Sequence, residues 1–197
     1  MLIGYFRGIN VMQIKMKTLV RITLLVAIAA GFTSCEKIKS IFDVEVDTTL
    51  EGDIDIDIQE QAKKSTENYT FSSSATIDPM SNSDIEENVD KIKEFAVNGV
   101  EAEVVFVNKP DVVFKAGTSF SIYDGTDNVT WTLSSDWPVV EGTVLNLDDG
   151  GGIYDAIADI LDRKGVFTVS AQGECSETDV FITIRIGIDT TVTGNPL

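Results

Sequence analysis

The sequence predicts a mainly β protein, an antiparallel β-sandwich with two short helices. Apolar and polar side chains alternate in several segments, most clearly over residues 53–58, which read Asp-Ile-Asp-Ile-Asp-Ile. A period of two is typical of a strand with one buried and one solvated face. Short segments of this kind recur between turn signals such as Asp124-Gly125. The alternation also favours antiparallel pairing, because parallel strands buried on both faces would be continuously apolar.

The first strands are predicted over residues 42–47 and 53–58, where the alternation is strict. Gly52 lies between the two segments and leaves two interpretations open. It can mark a bend within one long strand or a turn between two strands. Residues 59–68 are polar and are expected to form a loop, and residues 69–77 are expected to form the next strand.

A capping box predicts the first helix. Ser83 can accept a hydrogen bond from a first-turn backbone N–H, while Glu86, three residues later, can reach back to the cap. Apolar residues follow at helical spacing, at Ile85, Val89, Ile92 and Phe95. The pattern predicts a helix that ends near Phe95. Residues 97–107 then read as a strand. Its common apolar face is expected to carry Val100, Ala102, Val104 and Phe106.

The rest of the chain is predicted to contain further short strands and a second helix. The strands are expected over residues 112–114, 119–123, 129–133, 139–147, 166–171 and 180–192. The helix should follow residues 148–152 and end at Gly165. Its apolar residues are Ile153, Ile157, Ile160 and Leu161. Many short strands with two helices are typical of a β-sandwich of immunoglobulin-like or related type.

The charge balance excludes one class of partner. The chain has 15 basic and 32 acidic residues, a net charge of −17. The first 35 residues hold four of the basic residues and no acid, so the remainder has 11 basic and 32 acidic residues and a net charge of −21. A surface this negative repels nucleic acid and anionic lipid headgroups. No nucleic-acid partner is therefore expected.

Residues 15–35 have the order of a secretory signal. Cations come first, at Lys15, Lys17 and Arg21. An apolar run follows over residues 22–32, and small polar residues then lead to Cys35. The apolar run is too short to span a bilayer. The segment resembles the lipoprotein signals of the Bacteroidota, in which a small residue such as Ser34 precedes the cysteine.

This resemblance implies that the thiol of Cys35 is acylated and that Cys35 becomes the mature N-terminus. The implied organisation is an upstream extension over residues 1–15, a signal peptide over 16–34, a lipidated tether over 35–40 and one β-sandwich domain over 41–197. The lipid alone would then attach the protein to the membrane. The expected location is the cell envelope, at the outer membrane, with the periplasmic and the surface side both open.

The available side chains favour a non-enzymatic binding or structural module. The chain has no histidine, which excludes Ser-His-Asp catalysis, Cys-His catalysis and the common zinc sites. Cys175 is the one cysteine left after Cys35, so the mature chain cannot form an internal disulfide. The neighbouring acids Glu174 and Glu177 disfavour a reactive thiolate there. An acid-pair hydrolase is an alternative, because glycoside hydrolysis needs only two carboxylates.

Two segments contain candidate ligand-binding residues. Tyr123, Trp131 and Trp137 cluster around one turn, where exposed rings would stack on sugars. This pattern makes a surface glycan-binding accessory protein a second alternative, although packing in the core or at its rim is the preferred interpretation. Asp148 and Asp149 offer the oxygen ligands that Ca²⁺ prefers. The preferred interpretation there is a turn whose acids complement the dipole of the next helix.

No cofactor is expected apart from this calcium alternative. The aspartates at positions 53, 55 and 57 lie in a row along a straight strand, so a solvated outer face is the preferred interpretation for them. The partners expected for such a module are the membrane, through the lipid, and a glycan or an envelope protein.

Overall fold

Two antiparallel β-sheets form a sandwich in the computed structural model, which describes residues 44–59 and 68–195. The strands are β1 (Val44–Ile58), β2 (Tyr69–Ile77), β3 (Ile92–Val107), β4 (Val113–Phe114), β5 (Ser119–Tyr123), β6 (Asn128–Thr132), β7 (Trp137–Pro138), β8 (Val144–Asn146), β9 (Phe167–Cys175) and β10 (Val180–Gly194). The helices are α1 (Ser83–Glu86) and α2 (Ile153–Asp162), and a 3-10 turn covers Pro79–Ser81. The predicted signal peptide, Cys35 and the tether lie outside the described residues, as does most of the predicted loop over 59–68.

The strand order explains how the two sheets are built. The first sheet has the order β1-β10-β3-β8. In the second sheet, the order is β6-β5-β9-β4-β7, and β2 pairs with β9. All of these pairings are antiparallel. The predicted fold class, a mainly β antiparallel sandwich with two short helices, is confirmed. Within the described ranges, no helix has both the length and the apolar character needed to cross a membrane.

The core lies between the sheets, where alternate side chains of both are buried. Ile54 of β1 and Ile184 of β10 come from the first sheet, and Val169 of β9 comes from the second. Each of these three side chains is fully buried. Burial of aliphatic side chains of this size stabilises the fold by roughly 1.5–3 kcal/mol each.

β1 is one continuous strand, which settles the two interpretations of Gly52. It pairs with β10 along its whole length, from Val44 opposite Gly194 to Ile58 opposite Val180. The first described residue and the end of β10 therefore lie at the same end of the sandwich. The other end of β1 lies a full strand length away.

The first helix is much shorter than predicted. It ends at Glu86, and β3 already begins at Ile92, which pairs with Gly194 of β10. Phe95 is buried as a strand residue, and its backbone N–H donates to the carboxylate of Asp162 at 3.0 Å. The helical spacing of the apolar residues was a local signal. Pairing with β10, which extends from Ile92 to Val107 of β3, outweighs this local preference.

The strand predicted over residues 139–147 is also wrong in its extent. Within this range only Val144–Asn146 forms a strand, β8. β7 ends before it, at Pro138, and the turn between the two strands contains Gly142 at φ 80°. This left-handed conformation is one that glycine adopts readily and that an extended strand does not use. The second helix, α2, lies where it was predicted.

Candidate functional site

Two phenylalanines form an exposed pair on the outer face of the first sheet. The side chain of Phe106 is 44% exposed and that of Phe181 is 37% exposed. Their ring centroids are 6.1 Å apart, and the ring planes are inclined at 54°. We call Phe106 and Phe181 the outer aromatic pair. The prediction that Phe106 shares the inner face with Val104 is wrong.

A β-bulge turns Phe106 to the outside. Thr183 of β10 pairs with Phe106, whereas the next residue, Ile184, pairs with Val104. Val105 is therefore an extra residue in β3, and it reverses the alternation beyond that point. Bulges commonly redirect a side chain in this way. The register with β10 determines the bulge, and the sequence of β3 alone does not predict it.

The outward position of Phe181 could have been predicted from the sequence. It is followed by Ile182, which is buried in the core. Because neighbouring strand residues point to opposite faces, the doublet places Phe181 on the outer face. Two hydrogen bonds hold its backbone to Asn108. The Phe181 N–H donates to Asn108 Oδ1 at 2.9 Å, and the Asn108 N–H donates to the Phe181 carbonyl at 3.1 Å.

Acidic side chains of β1 border the outer aromatic pair. Asp57 pairs with Phe181 across the strands, and Asp55 pairs with Thr183. The Thr183 hydroxyl donates to Asp55 Oδ1 at 2.8 Å. At the next pair on the same face, two residues along β10, Arg185 donates to both carboxylate oxygens of Asp53, at 2.8 and 3.2 Å. Asp53 and Asp55 thus accept hydrogen bonds from β10, and Asp57 accepts one from Gln59 Nε2 at 3.1 Å, so the three aspartates line a strand instead of converging on one ion.

The structure does not bring the three predicted aromatic side chains together. Trp137 is 8% exposed and packs against Phe114 and Phe120, with ring centroids 5.9 and 6.1 Å apart. Tyr123 is 47% exposed on the outer face of the second sheet. Trp131 pairs with Phe120 and so belongs to the inner face. Trp137 and Trp131 thus pack on the inner face of the second sheet, whereas Tyr123 lies on the outer face.

Asp148 and Asp149 have structural roles at the start of α2. The Tyr154 N–H donates to Asp149 Oδ1 at 2.8 Å, which satisfies a backbone donor of the first helical turn. The indole N–H of Trp131 donates to the Asp148 carbonyl at 2.9 Å. In the described part of the chain, no group of three or more cysteine, aspartate or glutamate side chains is arranged to hold a metal ion.

Cys175 lies in the core at the end of β9. Its side chain is fully buried. Burial is the main cause that raises the pKa of this thiol, and the charge of Glu177 raises it further. The backbone N–H groups of Glu177 and Ser176 act in the opposite direction. The sequence-based expectation of an unreactive thiol rested on its acidic neighbours. In the structure, burial is the largest cause of the raised pKa.

Comparison with known proteins assigns no family. No protein-family model and no curated protein matches the chain. Among solved structures, the chain is similar to the decameric BFDV capsid protein, with 9% identity, a TM-score of 0.37, and coverage of 76% of this chain and 99% of that one. It is also similar to a Desmodium yellow mottle tymovirus chain, with 10% identity, a TM-score of 0.28, and coverage of 78% and 84%. TM-scores this low carry no argument about function.

Proposed function

We propose that the chain is a lipid-anchored protein of the bacterial envelope that acts as a non-enzymatic binding module. In this proposal, the acylated Cys35 attaches it to the membrane, and the outer aromatic pair binds a partner protein of the envelope. The observation that carries the proposal is the exposed pair, in which a bulge turns Phe106 outward beside Phe181 at the end of the sheet opposite Val44.

The distance between Val44 and the outer aromatic pair supports this proposal. β1 begins at Val44. Asp57, the cross-strand neighbour of Phe181, lies near the other end of β1. At about 3.3 Å per residue, the separation along the strand is roughly 43 Å. The outer aromatic pair therefore lies at the end of β1 remote from Val44, the first described residue after the proposed anchor.

The chemistry of the pair favours a protein partner. Exposed aromatic side chains supply much of the binding energy in protein interfaces. The rings of Phe106 and Phe181 are inclined at 54° and so do not form one flat platform on which a sugar ring would stack. Asp55 and Asp57 lie beside them. We therefore expect the partner to present an apolar side chain flanked by basic residues.

The non-enzymatic part of the proposal rests on the side chains available for chemistry. The chain has no histidine, and its Cys175 thiol is buried with a raised pKa. Nucleophilic catalysis needs an accessible and activated group. A binding role makes no such demand.

The anchor is tested by membrane fractionation and mass spectrometry of the protein purified from its own cells. We expect the wild-type chain in the membrane fraction, with Cys35 as an acylated N-terminus. The variant Cys35→Ala should lose the acyl mass and leave that fraction. Cys175→Ala is the matched control and should remain anchored. An unmodified Cys35, or a leader still attached, would contradict the anchor.

The binding site is tested by photo-crosslinking in intact cells with benzoylphenylalanine placed at position 181. We expect one discrete adduct whose yield falls strongly when Phe106→Ser is added. The same photoreactive residue at position 140, where Val140 is exposed outside the pair, is the control and should not give that adduct. An adduct that forms equally with and without Phe106→Ser would refute the site.

A further inference from the structure

The outer face of the second sheet carries an array of uncharged hydrogen-bonding side chains. The strands β2, β9, β5 and β6 lie side by side there, and three rows of four residues cross them in register. The rows are Ser72, Gln172, Ser119, Thr132; then Ser74, Ser170, Ser121, Thr130; then Thr76, Thr168, Tyr123, Asn128. We call these twelve residues the hydroxyl face.

The absence of charge across the hydroxyl face is unusual for this chain. A soluble protein surface carries about 25–35% charged residues, so twelve positions would hold about three or four. The outer face of the first sheet shows the contrast, since Asp53, Arg185 and Glu103 share one row across it. The twelve residues of the hydroxyl face are therefore neutral, with one carboxylate, Glu174, beside them at the end of β9.

The hydroxyl groups have bonding capacity left for a ligand. Each serine or threonine hydroxyl offers one donor and two acceptor sites. The Ser121 and Thr130 hydroxyls lie 2.9 Å apart and bond to each other, which uses only part of this capacity. Neighbouring strands lie about 4.8 Å apart, and alternate residues lie about 6.6 Å apart along a strand. The side chains of the hydroxyl face are thus regularly spaced both along the strands and across them.

A groove lies at one end of the hydroxyl face. It has a volume of about 280 Å³, and Gln172 and Ser119 of the first row line it together with Glu174 and Gly173. Thr118, next to Ser119, is 1% exposed, and its Oγ1 has no hydrogen-bond partner among the described residues. This oxygen is directed at Gly173, where a Cβ would come within 2.2 Å of it. Thr118 therefore packs over Gly173 on the inner side of β9, and the polar side chains that the groove offers to a ligand include Ser119, Gln172 and Glu174.

The opposite end of the hydroxyl face has an aromatic side chain. Tyr123 lies in the third row, four residues along β5 from Ser119. Its ring is 47% exposed, so one side is open for stacking. From the groove to Tyr123, the distance along the strand is about 13 Å.

We infer that the hydroxyl face binds a neutral polysaccharide, with one sugar in the groove beside Gln172 and another against Tyr123. Such a polymer is uncharged, repeats regularly and carries many hydroxyl groups, and each of these properties matches the face. The inference depends on neither Cys35 nor the outer aromatic pair, so it goes beyond the proposed function.

Native affinity electrophoresis of the full chain tests the inference, with laminarin, mannan or dextran in the gel and with alginate and chitosan as charged comparisons. We expect at least one neutral polymer to retard the protein. Ser170→Arg, at the centre of the face, should weaken that retardation by about tenfold, which corresponds to about 1.4 kcal/mol. Tyr123→Ala should weaken it as well.

Two controls separate binding from folding and from the proposed function. Ser135→Arg places the same charge on an exposed loop and should leave retardation unchanged, as should Phe181→Ser. Thermal melting of each variant identifies any that is unfolded, and Ser74→Arg in the same row serves if Ser170→Arg does not fold. Retardation by none of the neutral polymers, or an equal effect of a folded face variant and Ser135→Arg, overturns the inference.

Discussion

Gly52 of β1 lies directly against Ile77 of β2 across the sandwich. A Cβ at position 52 would come within 2.6 Å of Ile77 Cγ1 and 2.7 Å of Ile77 Cδ1. Both distances are far below ordinary van der Waals contact. The glycine is therefore required because the second sheet approaches the first at this point, not because the strand bends there.

Replacing this glycine should destabilise the protein. We expect Gly52→Ala to lower the free energy of unfolding by about 1–3 kcal/mol, the usual cost of overpacking. Urea unfolding followed by tryptophan fluorescence measures it, since Trp137 is buried. Gly99→Ala is the matched control in β3, because a Cβ there meets Asp189 Oδ2 at an ordinary 3.6 Å. Equal losses for the two variants would contradict the proposed steric cause.

The outer aromatic pair should contribute little to stability. Because both rings are more than one-third exposed, each change to serine should lower the free energy of unfolding by at most about 1 kcal/mol. A double-mutant cycle with Phe106→Ser and Phe181→Ser should give a coupling energy near the lower limit of about 0.5 kcal/mol for aromatic pairs. Strictly additive losses would show that the two rings do not interact.

Asp124 should make the stability depend on pH in the acidic range. The backbone N–H groups of Asp127 and Thr126, each 2.8 Å from Oδ1, hold its pKa below the ordinary value of 3.8, and Arg163 lowers it further. A pKa lowered by folding stabilises the protein above the unfolded-state value. This stabilisation should disappear as the pH falls through 3.8 towards the folded-state pKa.

The variant Asp124→Asn checks this pH dependence. Asparagine keeps an oxygen for the two backbone donors but loses the charge. We expect the difference in melting temperature between wild type and variant to be largest near neutral pH and to shrink below pH 3.8. A difference that stays constant across this range is the result that would count against the prediction.

The buried thiol of Cys175 should not react in the folded protein. Burial blocks access, and the raised pKa keeps the thiol protonated at neutral pH. In a Cys35→Ser background, Ellman's reagent should detect no thiol until guanidinium unfolds the chain. Adding Ser135→Cys, at an exposed position, supplies a thiol that should react at once. Rapid reaction of Cys175 without denaturant would show that β9 opens locally.

Much of the fold could be predicted from the sequence because strand alternation is a local property. Ile54, Ile56 and Ile58 were predicted to face inward, and all three are buried. The fold class and the position of α2 also followed from short-range patterns, although α2 ends at Asp162 and Lys164, not Gly165, adopts the left-handed conformation after it. The helix predicted up to Phe95 failed because this segment pairs with β10. A register shift between Ile92 and Glu94 lets both Ile92 and Phe95 face the core although they are three residues apart, and the sequence of β3 alone does not reveal that shift.

The candidate sites depended on contacts between distant segments. Phe106 faces outward because β10 pairs past Val105, and the sequence of β3 alone does not reveal that register. Trp131 and Tyr123 are close in the chain, yet the strand pairing places them on opposite faces of one sheet.

The alternating pattern along the chain therefore sufficed to establish an antiparallel sandwich and the inward residues of its long strands. The composition likewise removed histidine-based chemistry from consideration. The two candidate surfaces arose from folding. The outer aromatic pair needs a bulge set by a partner strand, and the hydroxyl face needs β2 beside β9, which lies about a hundred residues later. Residues from separate strands become one surface only when the sheet brings them into register.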